Sequence, residues 1–277
     1  ICDQVARRRA SQVRPSAVVS VAPVTEIVNE ISSPETTKVL IGSAKPLAPP
    51  QDIPARAMAD TAVSDGSEFL LSAHDCGLPL PGISIVAGCM NREENLMKVI
   101  GSWLATDAAE IIVVDWSSAS ELWPKLSAIG DPRLKVIRIE NEKHWIAAHA
   151  LNVGLRFASR ERVFRVDCDI LVSPDFLKMN LPQRGEFIRG FWRAGLVTGG
   201  EGQQFIQGTF GAFKLDLREA NYYDERILTY GWEDSELYLR FTHDFGLAGK
   251  QINPTSLRHV EQAEELRITN QGVSRNR

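Results

Sequence analysis

Two short stretches carry acids at spacings that chemistry could use. Residues 164 to 171, FRVDCDIL, put Asp167 and Asp169 one residue apart where an apolar run ends. Residues 230 to 237, YGWEDSEL, put Glu233 and Asp234 side by side behind a Gly-Trp pair. In extended backbone, residues i and i+2 point the same way. Asp167 and Asp169 would then face one spot with Cys168 turned away from it. Two anionic oxygens at one point suit a hard divalent cation, Mg²⁺ or Mn²⁺, which removes their repulsion and can bridge to a diphosphate. The plainer alternative is two solvated acids in a turn. Glu233 and Asp234 have a plain alternative too, as first-turn acids favoured by a helix dipole. The dipole alone does not call for Gly231-Trp232 ahead of them, a pair that suits a tight turn with an aromatic platform for a sugar.

The elements that must hold these acids are legible as periodicity. ISIVAG (83–88) is apolar on both faces, as in a parallel strand covered on both sides. Leu96, Val99, Ile100, Trp103 and Leu104 follow at helical spacing. EIIVVD (110–115) predicts a second buried strand, a short helix covers 119–129, and LKVIRIE (134–140) predicts a third strand. A helix from about 145 to 159 leads to a fourth strand at RVFRVD (162–167), and after looser loops a last helix spans about 233 to 242. This β-α-β-α-β-α-β order predicts a parallel sheet with right-handed crossovers. In such sheets ligands bind beyond the carboxyl ends of the strands, where Asp115 and Asp167 both fall. Asp115 is suited either to accepting bonds from a ribose or base or to capping the next helix.

The first 80 residues differ. Half of the 14 prolines lie in the first 54 positions among Ala, Ser, Val and Thr. That composition predicts a linker or tail with little regular structure and one short helix near TEIVNEI (25–31). The organisation expected is a tail over 1–80, one half-domain over 81–172 and a second over 173–277. With 277 residues, 44% of them hydrophobic, the chain can bury a large core. Its net charge of −4 gives no reason to expect nucleic acid as a partner. The four cysteines show neither CxxC pairing nor zinc-ligand spacing, and there is no N-x-S/T sequon. Both absences point to a reducing, cytoplasmic setting; a Golgi-lumen enzyme would need an anchor upstream of Ile1. No apolar run is long enough for a membrane span.

Taken together, ISIVAGCMNREENL, EIIVVDWSSAS, ALNVGLRFASRERVFRVDCDILVSP and GWEDSEL resemble the GT-A nucleotide-sugar glycosyltransferases. The likeness is to the family-2 enzymes and, through CMNR and GWED, to the β-1,4-galactosyltransferase-like group, over residues 83 to about 260. It implies the GT-A fold, an α/β domain with a mostly parallel, Rossmann-like sheet flanked by helices. It also implies a metal-dependent hexosyltransferase that passes a sugar from a UDP-sugar to a carbohydrate or glycoconjugate acceptor. Residue by residue, it gives nucleotide binding to the stretch from Ala87 through Cys89 and Asn91 to Arg92, with Arg92 near the uridine or phosphates. Asp115 would contact the uridine. Asp167 and Asp169 would form the D-x-D that meets Mn²⁺ or Mg²⁺, Asp169 as the firmer ligand and Asp167 also facing the nucleotide. Asp234 would be the catalytic base and Glu233 would bind the acceptor. His259, 25 positions after Asp234, matches a late histidine that completes the metal site; taken alone, it equally describes a polar surface or core residue. His144 and His149 receive no role. Where relatives read Asp-Asp-Gly-Ser, this chain has Asp115-Trp116-Ser117-Ser118.

Two other classes compete with this reading. A nucleotidyltransferase or dinucleotide oxidoreductase would be expected to show a G-x-G-x-x-G or P-loop after a strand, and neither is present. A non-catalytic glycan- or nucleotide-sugar-binding module of a larger polysaccharide-synthesis protein would have lost the D-x-D or the base, and both are intact.

Overall fold

The computed structural model describes residues 20–23, 38–43, 75, 77–190, 206–228 and 231–260. At its centre lie four parallel strands: β3 (Leu80–Cys89), β4 (Glu110–Trp116), β5 (Leu134–Ile139) and β6 (Arg160–Arg165). Their spatial order is β5-β4-β3-β6. The chain therefore runs outward from β3 to β5 and then returns to β3's other side. That reversal opens a crevice at the carboxyl ends of β3 and β6.

Both faces of the sheet are covered because alternate side chains of each strand are apolar. Ile85 and Ala87 of β3, with Ile111 and Val113 of β4, meet Leu96, Val99, Ile100 and Trp103 of helix α1 (Glu93–Leu104). The alternate residues Val86, Ile112 and Val114 pack on the other face against Leu151 and Leu155. Those two leucines belong to helix α3 (Ala147–Phe157), which follows the short α2 (Trp123–Ser127). Burying each such side chain is worth roughly 1.5–3 kcal/mol. The double-sided pattern thus commits these residues to a three-layer α/β fold.

Beyond β6 the chain makes β7 (Ile170–Val172), α4 (Phe176–Met179), β8 (Glu186–Arg189), β9 (Phe210–Phe213), α5 (Lys214–Glu219) and α6 (Glu233–His243). It continues with β10 (Ala248–Gln251) and β11 (Leu257–His259). β9 joins the sheet antiparallel to β6, and β8 and β10 extend it. β11 pairs antiparallel with β7 in a separate two-stranded sheet.

The expectation for the first 80 residues is corrected in two places. Strands β1 (Ser20–Pro23) and β2 (Lys38–Ser43) form on the sheet's outer edge, β2 running antiparallel to β5. Two short β-branched or aliphatic stretches between the prolines suffice for edge strands, where proline is tolerated. TEIVNEI lies outside the described residues. Within the segment read as tail, Asp75 also packs against the folded domain. Asp75 is buried beside Lys214, whose Nζ is 2.9 Å from its carboxylate, and Arg218 lies at 3.4 Å. Tyr222 donates its hydroxyl to the same carboxylate. Burial would raise the Asp75 carboxyl, but Tyr222 and Lys214 hold it below the usual carboxylate range. Lys214, only 1% exposed, is pulled down to about 8 by burial, against the pull of Asp75. Removing one partner of a buried pair leaves an uncompensated charge and costs about 3 kcal/mol or more. Asp75→Ala should therefore lower Tm by roughly 6–12 °C in a thermal melt. A shift under about 2 °C would show that Asp75 does not anchor the domain.

Candidate active site

The site is built at the crevice between β3 and β6. Directly after β3, Asn91 adopts a left-handed backbone (φ 55°). Its N–H donates to Ser118 Oγ at 3.0 Å, and its Oδ1 accepts from Ala119 N at 2.8 Å. Those bonds stitch the loop after β3 to the loop after β4 and leave Arg92 at the crevice, with Nη1 3.4 Å from Asp169 Oδ2.

The two aspartates after β6 do not sit in extended backbone. The N–H of Ile170 donates to the carbonyl of Asp167 at 3.0 Å, which closes a turn. The two carboxylates take different partners, although each still feels the other's charge. Asp167 is clasped by Arg165, with Oδ1 2.7 Å from Nη2 and Oδ2 3.1 Å from Nη1. Asp169 is 3.5 Å from His259 Nε2 through its Oδ2. The β7–β11 pairing makes that second contact, since His259 lies opposite Ile170 and the N–H of Val260 donates to Asp169 O at 2.7 Å. Trp103 of α1 braces the same turn from below, its indole N–H donating to Ile170 O at 2.9 Å.

Asp234 also approaches Arg165, with Oδ1 4.0 Å from Nη1, the nitrogen that donates to Asp167 Oδ2. Tyr223 donates its hydroxyl to the same oxygen at 2.7 Å. Gly231, at φ +110°, makes the turn that starts α6, and Trp232 stands 71% exposed beside it. Glu233 differs from its neighbour. It is only 4% exposed, and its Oε2 accepts from Gly231 N at 2.8 Å. Burial, and then the adjacent Asp234 carboxylate, pushes the Glu233 carboxyl above its ordinary range. Glu233 thus braces its own turn, whereas Asp234 is the acid presented to the crevice.

The structure brings Arg92, Asp167, Asp169, His259 and Asp234 to one crevice, with Arg165 between the acids. Three residues given to the nucleotide have buried side chains. Ala87 and Cys89 are fully buried in the apolar layer under α1. Strand alternation turns them to the α1 face of β3. Cys168 is buried as well. Asp115 is wholly buried, and its oxygens accept from Ser118 N and Leu122 N, each at 3.1 Å, and from Arg138 Nη1 at 2.6 Å. Its capping alternative describes it better.

Three contributors escaped the sequence reading. Arg165 had a signal, because a guanidinium inside the apolar run VFRVD must find a carboxylate. Tyr223 had none. Gly208 is required by proximity: a Cβ there would stand 1.6 Å from Arg165 Nη1 and 2.8 Å from Asp167 Oδ2.

Whether the donor set fits a divalent ion can be tested on its geometry. Among the described residues, no three His, Cys, Asp or Glu side chains form a ready-made metal cage. A Mg²⁺-like ion, however, keeps several waters and is bound through one or two carboxylates besides substrate phosphates. Asp169 supplies such a carboxylate, and His259 Nε2, 3.5 Å from its Oδ2, is the neighbouring nitrogen donor.

Comparison with known proteins agrees with this architecture. Residues 84–182 match the model for glycosyl transferase family 2. The fold is the GT-A fold of glycosyltransferases. The catalytic domain of Drosophila β1,4-galactosyltransferase 7 in complex with xylobiose is similar, with a TM-score of 0.51 and 15% identity over 70% of this chain and 76% of that one. So is glucosyl-3-phosphoglycerate synthase from Mycobacterium tuberculosis in complex with Mn²⁺, UDP-glucose and phosphoglyceric acid, with a TM-score of 0.50 and 21% identity over 72% and 77%. Among curated proteins, the succinoglycan biosynthesis protein ExoO of Rhizobium meliloti (strain 1021) is 23% identical over 198 residues, 68% of this chain. The chain spans about half (51%) of that relative's length. None of the described helices is long and apolar enough to cross a membrane.

Proposed function

We propose that this chain is an inverting hexosyltransferase. It would pass a sugar from a UDP-sugar to a hydroxyl of a glycan or glycoconjugate during polysaccharide synthesis. The observation that carries the reading is the division of the crevice. Asp169, His259 and Arg92 gather on the strand-end side, and Asp234 stands in the first turn of α6 beside Arg165. The strand-end side suits a diphosphate, with Arg92 as its cationic contact. The helix side suits an acceptor, for which exposed Trp232 offers an aromatic face.

In the reaction, the acceptor hydroxyl gives its proton to Asp234 as its oxygen bonds to the anomeric carbon. The bond from that carbon to the diphosphate oxygen breaks on the opposite face, and UDP leaves with the electron pair. General base catalysis of this kind typically contributes ~10²–10⁴ in rate. Aligning the two substrates can contribute more. A divalent ion held by Asp169 and His259 would supply charge stabilisation for the departing diphosphate. The galactosyltransferase-like GWED segment and the curated relative's role in succinoglycan biosynthesis favour a sugar acceptor.

UDP release from UDP-glucose, UDP-galactose and UDP-N-acetylglucosamine, each with Mn²⁺ and simple glycoside acceptors, tests the proposal. Turnover of at least one donor above the no-enzyme rate is expected. Calorimetric UDP binding with no turnover of any donor would favour the non-catalytic binding module instead.

A further inference from the structure

The shape of the chain around Tyr223 goes beyond what a transferase reading needs. Asn221 and Tyr222, two consecutive non-glycine residues, both adopt left-handed backbone (φ 56° and 58°). Such conformations persist only where their surroundings enforce them. What they achieve is a reversal that delivers Tyr223. Its backbone is held on both sides by Asn152 of α3, which is itself 1% exposed. The Tyr223 N–H donates to Asn152 Oδ1 at 3.0 Å, and Asn152 Nδ2 donates to Tyr223 O at 3.0 Å. Phe210 of β9 meets the Tyr223 ring edge to face, with centroids 6.2 Å apart. Backbone and ring are thus both fixed, and the one polar atom of the side chain reaches Asp234 Oδ1 at 2.7 Å.

We infer that Tyr223 is a positioning residue for Asp234: it anchors Oδ1 so that Oδ2 is the oxygen turned to the acceptor hydroxyl. The inference rests on Asp234 being the base. Oδ2 has no hydrogen-bond partner among the described residues. Burial, and then the charge of Asp234, pushes the Tyr223 hydroxyl well above its ordinary range, so it stays a donor at any working pH. Arg165 approaches the same oxygen only to 4.0 Å and is spent on Asp167. Among the described residues, Tyr223 therefore supplies the one close bond. A carboxylate with one oxygen tethered keeps its second oxygen within a narrow arc, and proton transfer is sensitive to such angles.

The test is a double-mutant cycle on the full chain, using the UDP-sugar and glycoside pair that turns over fastest. Tyr223→Phe keeps the ring packing and removes only the hydroxyl. It should lower kcat about tenfold, the weight of one hydrogen bond to a charged group, with donor KM and Tm unchanged. In an Asp234→Asn background the same change should have little further effect, because the group it positions is gone. A kcat for Tyr223→Phe equal to wild type, or an equal loss in both backgrounds, overturns the positioning role. Asp234→Asn with wild-type turnover instead overturns the base assignment beneath it.

Discussion

Asp234→Asn should lower kcat by about 10²-fold or more while leaving UDP affinity within roughly twofold. Asparagine keeps the size of the side chain and an oxygen for Tyr223, so the turn at the start of α6 should stand. What it loses is the capacity to take the acceptor proton. The nucleotide side of the crevice is built from Arg92, Asp169 and His259, and none of these touches Asp234 directly. A change confined to the helix side should therefore appear in turnover and not in UDP binding. Steady-state kinetics beside calorimetry of UDP make the comparison. Glu233→Gln should cost less turnover, because Glu233 is buried and its Oε2 is committed to Gly231 N. The opposite ranking, with Glu233→Gln silent in Tm but inactive, would give the base to Glu233.

The second large effect concerns the cation. UDP should bind at least tenfold more tightly with Mn²⁺ than with EDTA, and Asp169→Asn should remove that gain. A hard ion prefers an anionic oxygen, and an amide oxygen in its place lacks the charge. Asp169 is also the acid that the β7–β11 pairing sets against His259. Asp167→Asn should have the smaller effect on the metal-dependent gain, since Arg165 already holds that carboxylate on two oxygens. Calorimetry of UDP with and without Mn²⁺, on all three proteins, checks both claims. Equal affinity with Mn²⁺ and with EDTA in the unsubstituted protein would remove the ion from the site altogether. A gain lost in Asp167→Asn but kept in Asp169→Asn would reverse the two aspartates.

The strands and helices around the crevice were legible because each is long, periodic and apolar where it is buried. ISIVAG and EIIVVD read as strands covered on both faces, and the spacing of Leu96, Val99, Ile100 and Trp103 suits one side of a helix. Both patterns reappear in the two layers packed on the sheet. The N-terminal segment was read less well. Composition predicted a tail with little regular structure, yet β2 finds its hydrogen-bond partners on β5, nearly a hundred residues away. Its place between β1 and β5 is a property of the sheet, which local sequence does not contain. The anchoring of Asp75 by Lys214, Arg218 and Tyr222 is of the same kind.

Within the crevice, the sequence by itself determined which residue types arrive at the strand ends. It put acids after β6 and at the start of α6, a basic residue after β3, and a histidine late in the chain. Those placements follow from one-dimensional spacing, since a strand that ends in solvent delivers whatever comes next to the crevice. The tertiary structure decided which of them meet. A four-residue turn, too local for a strand rule to capture, gave Asp167 to Arg165 and Asp169 to His259. Strand alternation turned Ala87 and Cys89 into the core, and burial gave Asp115 to backbone amides. The hydroxyl of Tyr223 met Asp234 only because α3, β9 and a left-handed turn converge on it. Contacts of that sort depend on the relative placement of elements far apart in the chain, and burial makes each one costly to leave unmade.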